Sequence, residues 1–286
     1  MLNLQKRSSF FLGCLSVVAV LAGSDFDGFD AHAQKAGANL SATSGVSVMK
    51  YDNGGIYEGE FRDGKQHGKG VFFLPDGYRY EGEWKDGRIE GTGVAKYANG
   101  SVYEGDFIDG APHGFGVIRY PDESEYTGEW KNGIINGIGI AKYQNGIVYE
   151  GNFKESRHDG EGTIRFPNNY EYVGDWKNGL QEGDGVARYP DDAVYKGKFK
   201  EGHREGKGKI TFSDGFEFNG AWKIGQIEGH GIATYANGDV YEGEFSAGKR
   251  HGFGVMKYAT NAEYKGYWVN GKRGAAPSSS SLPDDG

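Results

Sequence analysis

An aromatic residue recurs every 23 residues, at Tyr57, Tyr80, Tyr103, Tyr126, Tyr149, Tyr172, Tyr195, Phe218, Tyr241 and Tyr264, without one insertion or deletion. A fixed period of this length means stacked copies of one small unit, because a piece that short cannot bury a core alone. Each copy opens Tyr-x-Gly-x-Phe/Trp, continues through a single and then paired glycines, and ends in an apolar run such as Val94-Ala95-Lys96-Tyr97. Tyr80, Gly82 and Trp84 alternate with Glu81 and Glu83, which is the two-residue period of a strand with one apolar and one solvated face. Gly93, Ala95 and Tyr97 repeat the alternation on a return strand. The expected fold is all-β: an elongated single-sheet antiparallel β-meander solenoid of tandem 23-residue hairpin repeats.

Glycine is costly in a regular element, so its 51 occurrences require a local steric reason. The expectation is that Gly59, Gly82 and their equivalents leave room for an aromatic ring from the neighbouring strand. A register follows in which Trp84 faces Ala95 and Gly82 faces Tyr97. Trp84, Trp130, Trp176, Trp222 and Trp268 occupy alternate repeats, and Ala95, Ala141, Ala187 and Ala233 match the first four. Phe61, Phe107, Phe153, Phe199 and Phe245 fill that position elsewhere, matched by larger residues, so constant packing volume argues for a 46-residue unit. Tyr57, Gly59 and Phe61 begin the predicted structural core. Turns such as Asn99-Gly100 predict three-residue loops with a bulge, since a two-residue hairpin would put Tyr103 on the wrong face.

The motif Tyr-x-Gly-x-Phe/Trp, as in Tyr103-Glu104-Gly105-Asp106-Phe107, followed by paired glycines such as Gly114 and Gly116, resembles the MORN (membrane occupation and recognition nexus) repeat over residues 45–274. Ser156, at a usual glycine, and Phe218, at the leading tyrosine, depart from it. The resemblance implies an elongated β-sheet used as a scaffold, in dimerisation or in contact with phospholipid, and no enzymatic activity of its own.

His67, His113, His158, His203 and His251 all fall in what read as long hairpin loops of odd repeats. Successive loops of that class lie four strand spacings, or about 19 Å, apart, too far to share a metal ion. Neither a metal nor any other cofactor is therefore expected. Lys65, Arg157, Arg204, Lys249 and Arg250 accompany the histidines, whereas even repeats carry Ile89, Ile134-Ile135 and Leu180-Gln181. The plainest reading is solvated loop tips. The functional reading is a partner-binding rim, with anionic lipid or glycan contact third. Acidic pairs such as Glu58 with Glu60 recur in equivalent positions, unlike a catalytic pair with its one unusual environment.

At the N-terminus, Lys6 and Arg7 precede an apolar run from Phe10 to Ala22, and Ala31-His32-Ala33 offers a cleavage site. Residues 1–33 thus read as a signal peptide, with an uncleaved anchor as the alternative. Cleavage would remove Cys14, the only cysteine. Residues 34–44 read as a flexible linker and residues 275–286 as a disordered tail. A net charge of -8 speaks against nucleic acid as a partner. The expected function is an exported, periplasmic or extracellular, non-catalytic scaffold that binds protein partners or itself, with envelope lipid or polysaccharide binding as the alternative.

Overall fold

The computed structural model describes residues 41–43 and 46–274. The expected signal peptide and tail, and most of the expected linker, lie outside the described residues. Those residues contain strands and turns and no helix. They divide after Pro167 into two compact units. The N-terminal unit runs from β1 (Ser41–Thr43) to β12 (Arg157–Arg165), and the C-terminal unit from β13 (Glu171–Lys177) to β22 (Lys272–Arg273). Within each unit consecutive strands pair antiparallel, so each is a β-meander of tandem hairpins.

One repeat shows the local logic. β5 (Arg79–Lys85) and β6 (Arg88–Lys96) are joined by Asp86-Gly87, both at positive φ (50° and 91°), the type I′ geometry that matches strand twist. β6 then reaches β7 (Val102–Ile108) through Ala98-Asn99-Gly100. There the Tyr97 amide donates to the Ser101 carbonyl at 2.8 Å and the Gly100 amide returns to the Tyr97 carbonyl at 2.8 Å. That is the three-residue loop the sequence predicts, with Gly100 at φ 89°.

The cross-strand register differs from expectation. Tyr80 pairs with Ala95 and Gly82 with Gly93, and a bulge then brings Trp84 opposite Ile89. The proposed pairing of Trp84 with Ala95 and of Gly82 with Tyr97 is therefore incorrect: the tight Asp86-Gly87 turn shifts the hairpin, and the bulge near Gly91 absorbs the extra residues. The paired glycines serve the tyrosine of their own hairpin, not a neighbour's ring. Tyr80 lies back across Gly82 and Gly93 and donates its hydroxyl to the Glu83 carbonyl at 3.0 Å. A Cβ on Gly93 would come within 2.6 Å of the Tyr80 ring, and one on Gly82 within 2.6 Å of the Gly93 Cα.

The 46-residue unit survives on different contacts. Tyr57 meets Phe61 of its own strand and Trp84 of the next repeat with ring centroids 5.1 and 5.0 Å apart, both edge to face. Tyr80 meets Trp84 and Phe107, and Tyr103 meets Phe107 and Trp130. In the C-terminal unit Tyr195 meets Phe199 and Trp222, and Phe218 meets Trp222 and Phe245. Each of these leading rings is clamped between one phenylalanine and one tryptophan, with the quadrupole-favoured edge-to-face geometry. As a result Tyr57, Tyr80, Tyr103, Tyr126, Tyr149, Tyr172, Tyr195, Phe218 and Tyr241 are fully buried, as are Ala95, Ala141, Ala187 and Ala233. The core is one face of the sheet, roofed by its own aromatic side chains.

Candidate functional site

The residues proposed as a basic rim do not share one face. They lie in strands that follow the tight turns, and the alternation of a strand sends neighbours to opposite faces. Lys65 and Arg157 begin strands and are exposed, while His203 and Lys249 at the equivalent position are half-buried. The next position points into the aromatic face, where Gln66, Pro112, His158, Arg204 and Arg250 stand opposite Phe61, Phe107, Phe153, Phe199 and Phe245. The sequence held the signal: His67, His113 and His251 stand ten residues after the leading aromatic, but His158 stands nine and His203 eight. A slip of one residue changes the face. The five histidines therefore belong to three positions.

His158 is a core residue. Its ring stacks on Tyr149 with centroids 3.5 Å apart and its Nε2 meets the Tyr143 hydroxyl at 3.0 Å. Burial pulls its pKa down to about 3, because the imidazolium would lose its hydration. Arg204 stacks on Trp222, with its guanidinium carbon 4.3 Å from the ring centroid, and donates to the Gly225 carbonyl at 2.6 Å. Arg250 repeats this on Trp268 at 4.2 Å and on the Gly271 carbonyl at 2.8 Å. These arginines bind the hairpin of the following repeat rather than an outside partner.

His67 and His113 have a structural duty as well. The Nδ1 atoms accept the backbone amides of Asp86 and Asn132, each at 3.4 Å, in the turn of the next repeat. Carboxylates do the same from the equivalent position elsewhere, as Glu90 does for Asp109 at 3.2 Å and Glu205 for Ile224 at 2.8 Å. The acidic residues of the leading strands cap bulges: Glu60, Glu83, Asp106, Glu129 and Asp175 accept the amides of Lys69, Thr92, Phe115, Ile138 and Asp184 at 2.9–3.2 Å. Among the described residues no three or more His, Cys, Asp or Glu side chains gather as a metal site would require. A shallow groove of about 550 Å³ in the C-terminal unit runs past Trp222, Lys223, Glu228, Phe245 and His251. Glu228 there already holds the Ala247 amide at 2.8 Å.

The surface left open is the opposite face of the strands. On it Phe115 and Ile138 of the N-terminal unit are 58% and 62% exposed, and Phe253 of the C-terminal unit is 46% exposed. The C-terminal unit also displays Lys196, Lys198, Lys207 and Lys209, all exposed, on the hairpin of β15 (Val194–Lys200) and β16 (His203–Thr211). Lys198 pairs with Asp184 at 2.7 Å and Lys209 with Glu217 at 2.8 Å.

The sequence matches the MORN repeat in ten consecutive segments from residue 57 to residue 274, so the chain belongs to the MORN-repeat family. A comparison with curated proteins finds no relative. Among solved structures it is similar to the TCP10 domain of Danio rerio CPAP, at 13% identity and a TM-score of 0.40 over 69% of this chain and 93% of that one. The SAS-4 (dCPAP) TCP domain of Drosophila melanogaster, solved with a proline-rich motif of Ana2, matches at 12% identity and a TM-score of 0.31, covering 70% and 90% of the two chains.

Proposed function

We propose that this MORN-repeat protein is a non-catalytic scaffold, carried out of the cytoplasm by its N-terminal segment, that binds protein partners or further copies of itself through the outward strand face. The observation that carries this reading is the division of labour between faces. The aromatic face is consumed by its own packing, while large apolar side chains such as Phe115 and Ile138 stand in solvent on the other. Apolar groups gathered on a regular, otherwise polar surface mark an interface. The titratable groups of the aromatic face are held by packing or backbone bonds, as His158 and the arginines are.

Crosslinking in the envelope followed by identification of the captured proteins, with light scattering on the purified mature chain, tests this. Capture of a partner that is lost on Phe115→Asp/Ile138→Asp, or self-association lost with the same changes, supports it. A monomer that captures nothing refutes it. N-terminal sequencing of the secreted or periplasmic form tests export, with a start near Gln34 expected.

The alternative, binding to anionic envelope lipid or polysaccharide, draws on the four exposed lysines of one hairpin. Its test is co-sedimentation with anionic and neutral vesicles and with cell wall. Equal recovery in all cases removes it.

A further inference from the structure

In the repeats from Tyr57 to Tyr172 the residue three places after the leading aromatic closes the bulge of its own hairpin. Glu60, Glu83, Asp106, Glu129 and Asp175 accept the amide that follows the bulge glycine, at 2.9–3.2 Å. Asn152 lies over Gly160 and donates to the Glu161 carbonyl at 3.0 Å. The repeats from Tyr195 and Phe218 carry Lys198 and Ala221 at that position. An ammonium has no acceptor and a methyl group has no polar atom, so neither can take the amide of Lys207 or His230. The cover over the glycine goes with the bond. A Cβ on Gly114 would lie 2.6 Å from the Asp106 carboxylate, whereas one on Gly229 would meet only the Ala221 Cβ, at 3.4 Å.

The groove of the C-terminal unit opens at the same place, past Gly206, Trp222, Gly229 and Phe245. Ala221 is on the outward face, because Trp222 beside it turns inward and is buried. Lys207 lies directly across from Ala221, and Lys223 is two residues along the same strand, so all three share that face. Both lysines are exposed, and neither forms an ion pair with a described residue, whereas Lys198 pairs with Asp184 and Lys209 with Glu217. Two glutamates of the groove are turned to the hairpin turns, where Glu205 accepts the Ile224 amide and Glu228 the Ala247 amide, each at 2.8 Å. Glu244, across from His230 on the next strand, bounds the site on its far side.

We infer that this site takes a carboxylate from outside the chain: a Glu or Asp side chain of a partner peptide segment, seated above Ala221. There it accepts the His230 amide and faces Lys207 and Lys223. This rests on the proposed scaffold reading and names the chemistry of its partner at one point on the outward face. The bulge already holds a planar carboxylate in five other repeats, so its geometry suits that group rather than a tetrahedral phosphate. A bond from a backbone amide to an ionised acceptor is about twice as strong as a neutral one, and the two flanking cations favour the charged form.

The test follows the backbone amides of the full mature chain by NMR as acetyl-Gly-Glu-Gly-amide is added, with acetyl-Gly-Gln-Gly-amide as the control. The His230 amide should move downfield and saturate with the glutamate peptide. The glutamine peptide should bind at least about tenfold more weakly, the factor a charge-assisted bond contributes. K207A/K223A should weaken the glutamate peptide about threefold, the scale of exposed ion pairs. A221E should abolish the response, and its own carboxylate should move the His230 amide with no peptide present. Amides far from the site that keep their wild-type positions show that this variant is folded. A His230 amide that does not move, equal binding of the two peptides, or a response that survives in A221E overturns the inference. Tighter binding of inorganic phosphate than of the glutamate peptide overturns it too. If the peptide fails while crosslinking still captures a protein, this inference falls alone, whereas a chain that also captures nothing takes the scaffold reading with it.

Discussion

Opposite Phe153 the N-terminal unit places His158, and opposite Phe199 the C-terminal unit places Arg204. The imidazole stacks on Tyr149 and bonds to the Tyr143 hydroxyl. The guanidinium reaches forward, over Trp222 and onto the carbonyl of Gly225 in the next turn. Arg250 does the same at Trp268 and Gly271, while Gln66 in the N-terminal unit turns back to the Tyr51 hydroxyl. One repeat scaffold thus supports two ways of holding a hairpin: neutral polar groups that fill space, and cations that staple one hairpin to the following one. The comparison teaches that in this protein the inward-facing column after each turn is where the joining of successive repeats varies.

The largest effect should ignore that difference. Gly93→Val and Gly208→Val each force a side chain into space occupied by the tyrosine of the hairpin, whose ring atoms lie within 2.6 Å of the Gly93 Cβ position and 2.5 Å of the Gly208 one. Each should cost at least about 4 kcal/mol in urea unfolding, since the clash is with a clamped ring rather than a flexible tip. A much smaller cost in one unit would mean that the units do not share a scaffold.

Acid should separate them next. The folded pKa of His158, about 3, lies below the usual value near 6.5, so the neutral ring contributes stability that is full above pH 6.5 and lost as pH falls toward 3. The loss should reach up to about 5 kcal/mol at the acid end. His158→Gln, which borrows the residue found at Gln66, should remove that part of the pH dependence, with hydrogen exchange of the N-terminal unit as the readout. A variant whose acid sensitivity matches the wild type would contradict the neutral, buried assignment.

Arg250→Ala should destabilise the last repeats by about 2–3 kcal/mol, through loss of the stacked cation and of its bond to the Gly271 carbonyl. Arg250→Lys should recover little, because an ammonium cannot stack and bond as the planar group does. Thermal unfolding followed by tryptophan fluorescence, dominated locally by Trp268, would report both. The smallest effect should be a near-cancellation. Lys198→Glu supplies the bulge acceptor that Glu83 and Asp106 supply in the N-terminal unit, but it also replaces the ion pair with Asp184 by two directly opposed carboxylates, so urea unfolding should change by less than about 0.5 kcal/mol.

The strands, the three-residue loops and the 46-residue unit were legible because period, alternation and Asn-Gly punctuation act locally. The cross-strand register was not. Asp86-Gly87 is a strong turn signal, but the paired glycines drew the hairpin end toward themselves, and a bulge leaves no mark on hydrophobic alternation beyond one more glycine, Gly91. The histidine column failed for a related reason: similar residues at slightly different offsets look like one site in a sequence and fall on opposite faces of a strand. Arg204 and Arg250 read in the sequence as rim residues because charge suggests solvent, whereas a guanidinium over an indole, with its protons on carbonyls, is at home against the core.

The clamping of each leading ring between one phenylalanine and one tryptophan bears on how such a gene can lengthen or shorten. Removing a single copy would leave some tyrosine flanked by two indoles or by two phenyl rings, with too much or too little volume around it. Removing or adding two copies at once would leave every junction as it was. Inherited changes in copy number should therefore survive in pairs, and the dipeptide-like beat of Phe and Trp is a record of that parity.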